Sequence, residues 1–350
     1  MRISRKLEHI RHALSTGQSG RQGFADVKLV PNALPEISLD SISLASSIGE
    51  LVLSSPIIIN AMTGGAPETE EINRKLAAAA RETGTAMAVG SQMSAIANKE
   101  MRASYQVVRQ TNPDGIILAN LGSEATVRQA REAVEMIGAN GLQIHLNVMQ
   151  ELLMPEGERD FRGATERIAR IVQELPVPVI VKEVGFGIAR EPALKLKEAG
   201  VRILDVGGTG GTSFAAIENA RRNPPMDSLN DWGCTTSVAL LECADSFQEG
   251  WIIATGGIRS GMDVAKALAL GASAAGISGL FLKALFEEGE QGLQTAIVRC
   301  LQETAIVMAA LGAADVQSMH SLPVVITGET AEWCQLRGID LSLLARRQSK

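Results

Sequence analysis

The feature that most constrains this chain is a rhythm. Short runs rich in Val and Ile each close on Gly or a small polar residue, and helix-like stretches separate them. Eight such runs occur: PIIINAM (56–62), AMAVG (86–90), GIILANLG (115–122), GLQIHLNV (141–148), PVIVKEVG (178–185), ILDVGG (203–208), WIIATGGI (251–258) and AAGISGLF (274–281). Between them, residues 68–84, 124–138, 164–175, 191–200 and 261–271 repeat apolar side chains at helical spacing. Acidic residues in the first turn of 68–84 suit the positive end of a helix dipole, and Gly84 stops that helix. Continuous apolar strands alternating with helices make a parallel sheet covered on both faces. Eight units within about 230 residues favour a closed (β/α)8 TIM barrel, with an open doubly wound sheet as the alternative.

The barrel is expected over 56–312, preceded by an N-terminal arm (1–55) and followed by a C-terminal helical extension (313–350). Residues 212–233, with Pro224 and Pro225, read as a long insertion after the sixth strand, the kind of loop that serves as a lid. A hydrophobic content of 45% excludes wholesale disorder. The net charge of −6 argues against a nucleic-acid binder with a broad basic surface. No uncharged apolar run approaches the ~20 residues of a membrane span, and MRISRKLEHIRHALS lacks the apolar stretch of a secretory signal. Cys234, Cys243, Cys300 and Cys334 form no CxxC pair and read as reduced thiols. The expectation is a soluble, cytoplasmic protein acting on a small molecule.

In such a barrel the working residues gather where strands end. The strongest local signal is the pair GGTGGT (207–212) and TGGIR (255–259), after the sixth and seventh strands. Glycine lets several backbone N–H groups approach one phosphate, and Arg259 adds a forked donor. Lys182 closes an otherwise apolar strand and needs a negative partner: either Schiff-base chemistry or a charge held beside an electron-rich ring accounts for it. HLNVMQE puts His145 and Asn147 on one strand face, with Gln150 and Glu151 beyond. One carboxylate plus substrate phosphates is a common Mg2+ arrangement. RKLEHIRHAL (5–14) gathers Arg5, Lys6, His9 and Arg11, which are solvated charges unless the arm folds over the barrel mouth.

RKxEH, MTGG, GSQ, NLG, HLNxxQE, KEVG, GGTGGTS and GGIR occur here in that order, and together they resemble the type 2 isopentenyl-diphosphate isomerase family from Arg5 to about Lys283. The resemblance implies a TIM-barrel flavoenzyme that binds FMN, needs reduced flavin and Mg2+ with NADPH as reductant, and interconverts isopentenyl and dimethylallyl diphosphate. It places FMN against Ala61, Met62, Thr63, Ser91, Asn120, Lys182, Thr212, Gly256, Gly257, Ile258, Arg259, Ser278 and Gly279. It assigns the diphosphate to Arg5, Lys6, Ser91, Gln92, Met93, Ser94, His145, Asn147 and Gln150, catalysis to Gln150, His145 and Asn147, and Mg2+ to Glu151. It also implies a homotetramer or homo-octamer, and the reduced flavin is expected to supply the proton that activates the alkene. Two departures stand out: Trp232–Thr236 where the family often has Ile-Pro, and Ser278 where Ala is common.

Three other readings compete. An FMN-dependent 2-hydroxy-acid oxidase needs a histidine beside an arginine at a late strand end, whereas the four histidines here are His9, His12, His145 and His320. An IMP dehydrogenase-like barrel places its cysteine directly after the Gly-rich turn, whereas Cys234 stands 22 positions after Thr212. A non-catalytic flavin- or phosphate-binding barrel has no need of HLNVMQE or of an N-terminal Arg-Lys pair.

Overall fold

The computed structural model of the chain describes residues 20–348, so Arg5 and Lys6 lie outside the described residues. Twelve strands occur among them: β1 (Val27–Leu29), β2 (Ser46–Ile48), β3 (Leu51–Leu53), β4 (Ile57–Ile59), β5 (Ala86–Ala88), β6 (Ile117–Gly122), β7 (Gly141–Leu146), β8 (Val179–Glu183), β9 (Ile203–Asp205), β10 (Trp251–Thr255), β11 (Ala274–Ile277) and β12 (Val324–Ile326). Strands β4 to β11 close into a barrel in chain order, every neighbouring pair parallel, with β11 returning to β4. Each apolar run therefore becomes one barrel strand, and the closed barrel replaces the open-sheet alternative. The runs overshoot at their C-terminal ends because those residues turn outward into the βα loops.

Helices form where apolar spacing and caps agree. Thr126 opens the helix Val127–Ile137: its hydroxyl accepts the Gln129 N–H, the Gln129 side chain accepts the Thr126 N–H, and Gly138 closes the helix at a φ of 55°. The apolar faces of these helices bury against the outside of the barrel, where most of the core lies. A second core fills the lower interior, built from Ile58, Leu118, Ile180, Ile203, Ile253 and Ala274. The antiparallel hairpin β2–β3 plugs that end with Ile48, Leu51 and Leu53, turning at Gly49 with a φ of 60°. The open end is consequently the C-terminal one.

The insertion after β9 is more ordered than its Pro-Pro sequence implies. It holds a helix Phe214–Ala220 and a short 3-10 turn Asp227–Leu229, and the helix Thr236–Ser246 follows. After β11 a helical stretch Gly279–Leu311 breaks at Gly289, whose φ of 72° and ψ of −163° are not helical. The C-terminal extension contains β12, which pairs antiparallel with β1 of the arm. Its helix Gly328–Leu336 is fastened by Glu242, a fully buried carboxylate accepting Arg337 Nε (2.7 Å), Trp333 Nε1 (2.9 Å) and the Arg190 N–H (3.0 Å). No helix among the described residues is long and apolar enough to cross a membrane.

Candidate active site

Strand alternation builds the site. Along several barrel strands the inward residue is apolar in the lower layer and polar two positions later: Ile58 then Asn60, Leu118 then Asn120, Ile180 then Lys182, Ile203 then Asp205, Ile253 then Thr255. The barrel thus carries a ring of buried polar side chains over an apolar floor. On β11 the corresponding position is Gly276, where a Cβ would come within 2.5 Å of Thr255 and 2.7 Å of the Asn60 amide, so the neighbours already fill that space.

Asp205 is the anionic centre of this layer. One carboxylate oxygen accepts Asn60 Nδ2 at 2.8 Å and the other accepts the Thr255 hydroxyl. Burial pushes its carboxyl upward, and Lys182 on the adjacent strand, Thr255 and Asn60 oppose that push. The Lys182 ammonium donates to the Glu183 carbonyl at 2.6 Å. Glu183 folds its side chain back onto its own loop, accepting the N–H groups of Val184, Gly185, Phe186 and Gly187 at 2.6, 2.7, 2.5 and 3.2 Å. Burial nevertheless raises its carboxyl to about 7. Lys182 therefore has two protein carboxylates beside it, those of Asp205 and Glu183.

Above this layer lies a cavity of about 280 Å3. Of the residues expected to hold FMN, Ala61, Met62, Thr63, Ser91, Asn120, Lys182, Thr212, Gly256, Gly257, Ile258, Ser278 and Gly279 line it, together with His145 and Gln150. Gly207, Gly208 and Gly211 of the expected glycine loop, with Asn60, Glu183 and Phe214, complete much of the wall. The loops after β9 and β10 touch along their backbones: a Cβ on Gly211 would lie 2.9 Å from Gly257 N, and one on Gly256 would lie 2.0 Å from Gly208 O. Side chains other than hydrogen do not fit between them, which leaves the main-chain N–H groups to form the surface.

Arg259 and Glu151 stand outside the cavity wall, as do Gln92, Met93, Ser94 and Asn147. Arg259 clamps the rim from behind, donating to the carbonyls of Gly20 (2.9 Å) and Gly210 and to Gln22 Oε1 (3.2 Å). Its Nε is buried with no hydrogen-bond partner among the described residues. Gln92 is fully buried and bridges the Asn120 N–H to the Ala133 carbonyl. Met93 accepts a long contact from Gln129, and Ser94 bonds the Tyr105 hydroxyl. Asn147 donates to Gln150 Oε1 (3.3 Å) and Glu151 Oε1 (2.9 Å), while Gln150 Nε2 donates to Glu218 (3.3 Å). Glu218 is buried and paired with Arg221, so the insertion after β9 orients Gln150.

The cavity fits a flavin phosphate and ring on two observations. The Thr63 hydroxyl is buried in the wall with no partner among the described residues, an arrangement that costs about 1–3 kcal/mol unless a ligand satisfies it. The two glycine loops leave a concave backbone surface suited to an anion. No group of three or more His, Cys, Asp or Glu is placed to hold a metal among the described residues. Glu151 gives one oxygen to Asn147 and the other to the Glu158 N–H (2.8 Å), so each oxygen keeps a lone pair.

The competing readings meet specific geometry. His320 Nε2 donates to the Ala272 carbonyl (3.0 Å), just before β11 begins, at the opposite end of the barrel from the cavity. The Cys234 thiol is held against Phe186 O (3.7 Å), and burial, with Glu183 and Glu242 adding to it, pushes it up to about 12. It is not poised as a nucleophile.

Residues 158–325 match the model of the FMN-dependent dehydrogenase family. An isopentenyl-diphosphate delta-isomerase of Bacillus pumilus is 51% identical over 350 residues, covering 100% of this chain and 99% of that protein. One from Symbiobacterium thermophilum is 48% identical over 361 residues, with 100% and 99% covered. Among solved structures, a lactate oxidase of Pediococcus acidilactici superposes with a TM-score of 0.66 at 17% identity, covering 91% of this chain and 87% of that one. A mandelate oxidase mutant with a monooxide FMN adduct gives 0.62 at 18%, covering 90% and 92%. At those identities the solved structures speak for the fold alone.

Proposed function

The chain belongs to the FMN-dependent family of isopentenyl-diphosphate delta-isomerases and interconverts isopentenyl and dimethylallyl diphosphate, and we propose that it does so in the cavity at the C-terminal mouth of its barrel. The observation that carries this placement is the convergence of three features on one space: the glycine loops after β9 and β10, the buried Lys182–Asp205 pair, and the His145 and Gln150 side chains. The reaction moves a double bond by adding a proton at one carbon and removing one two carbons away. Bound reduced FMN supplies the electron-rich ring and the proton-transfer capacity that ordinary side chains lack at neutral pH.

The protein's own tasks are to bind, orient and keep out water. Backbone N–H groups of Gly211, Gly256 and Gly257 take the cofactor phosphate, with Ile258 at the wall and Arg259 holding the rim in shape. Lys182 sets a positive charge over the polar layer and Thr63 offers a hydroxyl to the ring. His145 receives the diphosphate end of the substrate, with Ser91 nearby, and Asn147 steadies Gln150 against the hydrocarbon. Glu151 holds Mg2+ jointly with substrate phosphate oxygens. NADPH serves as the reductant, and Arg5 and Lys6 complete the diphosphate site from the arm. The same reading includes a homotetramer or homo-octamer, supported by Phe286, Val298 and Ile306 exposed on the helical stretch Gly279–Leu311. It also includes a cytoplasmic setting, in keeping with four free cysteines.

The test is turnover. Protein loaded with FMN and Mg2+ should isomerise isopentenyl diphosphate only after reduction by dithionite or NADPH, followed by NMR of the product. Oxygen consumption with 2-hydroxy acids, and no isomerisation, would overturn the assignment. Glu151→Gln should raise the Mg2+ concentration giving half-maximal rate about tenfold or more, as losing one charged ligand does; an unshifted titration rejects its metal role.

A further inference from the structure

Beneath the cavity a single run of hydrogen bonds crosses the barrel from β9 to β7. Asn60 Oδ1 accepts the Ala61 main-chain N–H at 2.9 Å, and a main-chain N–H only donates, so the oxygen of this amide is identified by its partner. Its Nδ2 consequently faces Asp205, as observed at 2.8 Å. The second oxygen of Asp205 accepts Thr255 Oγ1, whose own lone pair takes the Gly207 N–H at 3.1 Å, so both carboxylate oxygens act as acceptors.

The rest of the orientation follows link by link. Because Asn60 presents an oxygen, Gln143 must present Nε2 to it (2.9 Å) and turn Oε1 toward the next strand. Asn120 then meets that oxygen with Nδ2 (3.1 Å) and shows its own Oδ1 to His145 Nδ1 (3.0 Å). An amide oxygen only accepts, so the hydrogen of that last bond belongs to the imidazole. Gln143 is fully buried and, like Asp205, is not part of the cavity wall.

We propose that Gln143, anchored through Asn60 on Asp205, is a positioning residue that fixes His145 with a proton on Nδ1. The neutral ring then has Nε2 as its acceptor, and any further protonation occurs at Nε2, giving a cation that donates from both nitrogens. A ring turned over would put a carbon against Asn120 Oδ1, so the orientation is held as well as the tautomer. This inference rests on the reading that His145 meets the diphosphate; under it, the buried run prepares the ring to deliver positive charge to an anion.

The experiment is 15N NMR of FMN-loaded protein labelled at histidine, at a pH where the ring is neutral, with His145→Phe identifying the resonance. The wild type should show His145 as the Nδ1–H tautomer. Gln143→Met keeps length and removes both amide bonds; it should mix the two tautomers and lower kcat/KM about 10- to 100-fold, the range seen when an outer partner of a working imidazole is lost, while flavin content stays at the wild-type level. An Nε2–H tautomer in the wild type overturns the proposal without recourse to any variant. So does a Gln143→Met protein with an unchanged tautomer, or with a changed tautomer and unchanged turnover. Full isomerase activity in His145→Phe would instead overturn the diphosphate reading and leave the tautomer result standing.

Discussion

Gly256→Ala is the sharpest probe of the cradle. Gly256 has a φ of 110°, in the region that favours glycine, and a side chain there costs about 1–2 kcal/mol in backbone strain. The added Cβ would also stand 2.0 Å from Gly208 O, 2.5 Å from Thr236 Oγ1 and 2.7 Å from Gly208 C, where at least 3.0 Å is needed. Two of those three atoms are backbone, so the loops after β9 and β10 must part by about 1 Å. A shift of that size misaims the N–H groups, and losing one or two bonds to a charged phosphate at about 1.5–3 kcal/mol each predicts roughly 100-fold weaker FMN binding. FMN fluorescence titration measures the Kd, and thermal denaturation reports folding alongside. Gly289→Ala is the control: its φ is 72° but no atom of the described residues lies within 4 Å of the new Cβ, so about 1 kcal/mol of stability goes and flavin affinity does not change. A Gly256→Ala protein that binds FMN within threefold of wild type would refute the cradle.

Cys234 should alkylate slowly in the native protein: with its thiol pushed up to about 12, the thiolate fraction at pH 8 is roughly a thousandfold below that of a free cysteine. Iodoacetamide labelling read by mass spectrometry checks this, and rapid modification of Cys234 would return the nucleophile reading to contention. Glu183 predicts a pH trend. Its carboxyl is raised from 4.5 to about 7, so the folded state favours the protonated form; that stability is fully present below 4.5 and is lost as pH rises through 7. The shift is worth about 3 kcal/mol. Urea unfolding of wild type and Glu183→Gln should show the wild type losing ground by that amount between pH 4.5 and 8, and a flat difference contradicts the burial argument.

Much of the fold was legible because each barrel strand is buried on both faces and reads as a continuous apolar run. The helix Thr236–Ser246 escaped periodicity for the opposite reason. It lies between the barrel and the C-terminal helix Gly328–Leu336, so Thr236 through Cys243 are all buried and no polar face remains to mark its turns. The helix Phe214–Ala220 hid beside Pro224 and Pro225, which signal loop. In the site, glycine loops and strand-end polar residues are local signals and were found. Asn60, Gln143 and Asp205 were not, because their role lies in bonds between residues up to 145 positions apart. One cue was available: the change from apolar to polar between positions i and i+2, as in Ile203 and Asp205, marks where a strand interior leaves the floor for the site.

Arg259 also ties down Gly20, the first described residue, by its carbonyl. The root of the arm is thereby stapled to the same loop edge that Gly210 and Gly257 form. A displacement of the rim must therefore carry Gly20 with it, so the loops after β9 and β10 and the segment that starts at Gly20 move as one body.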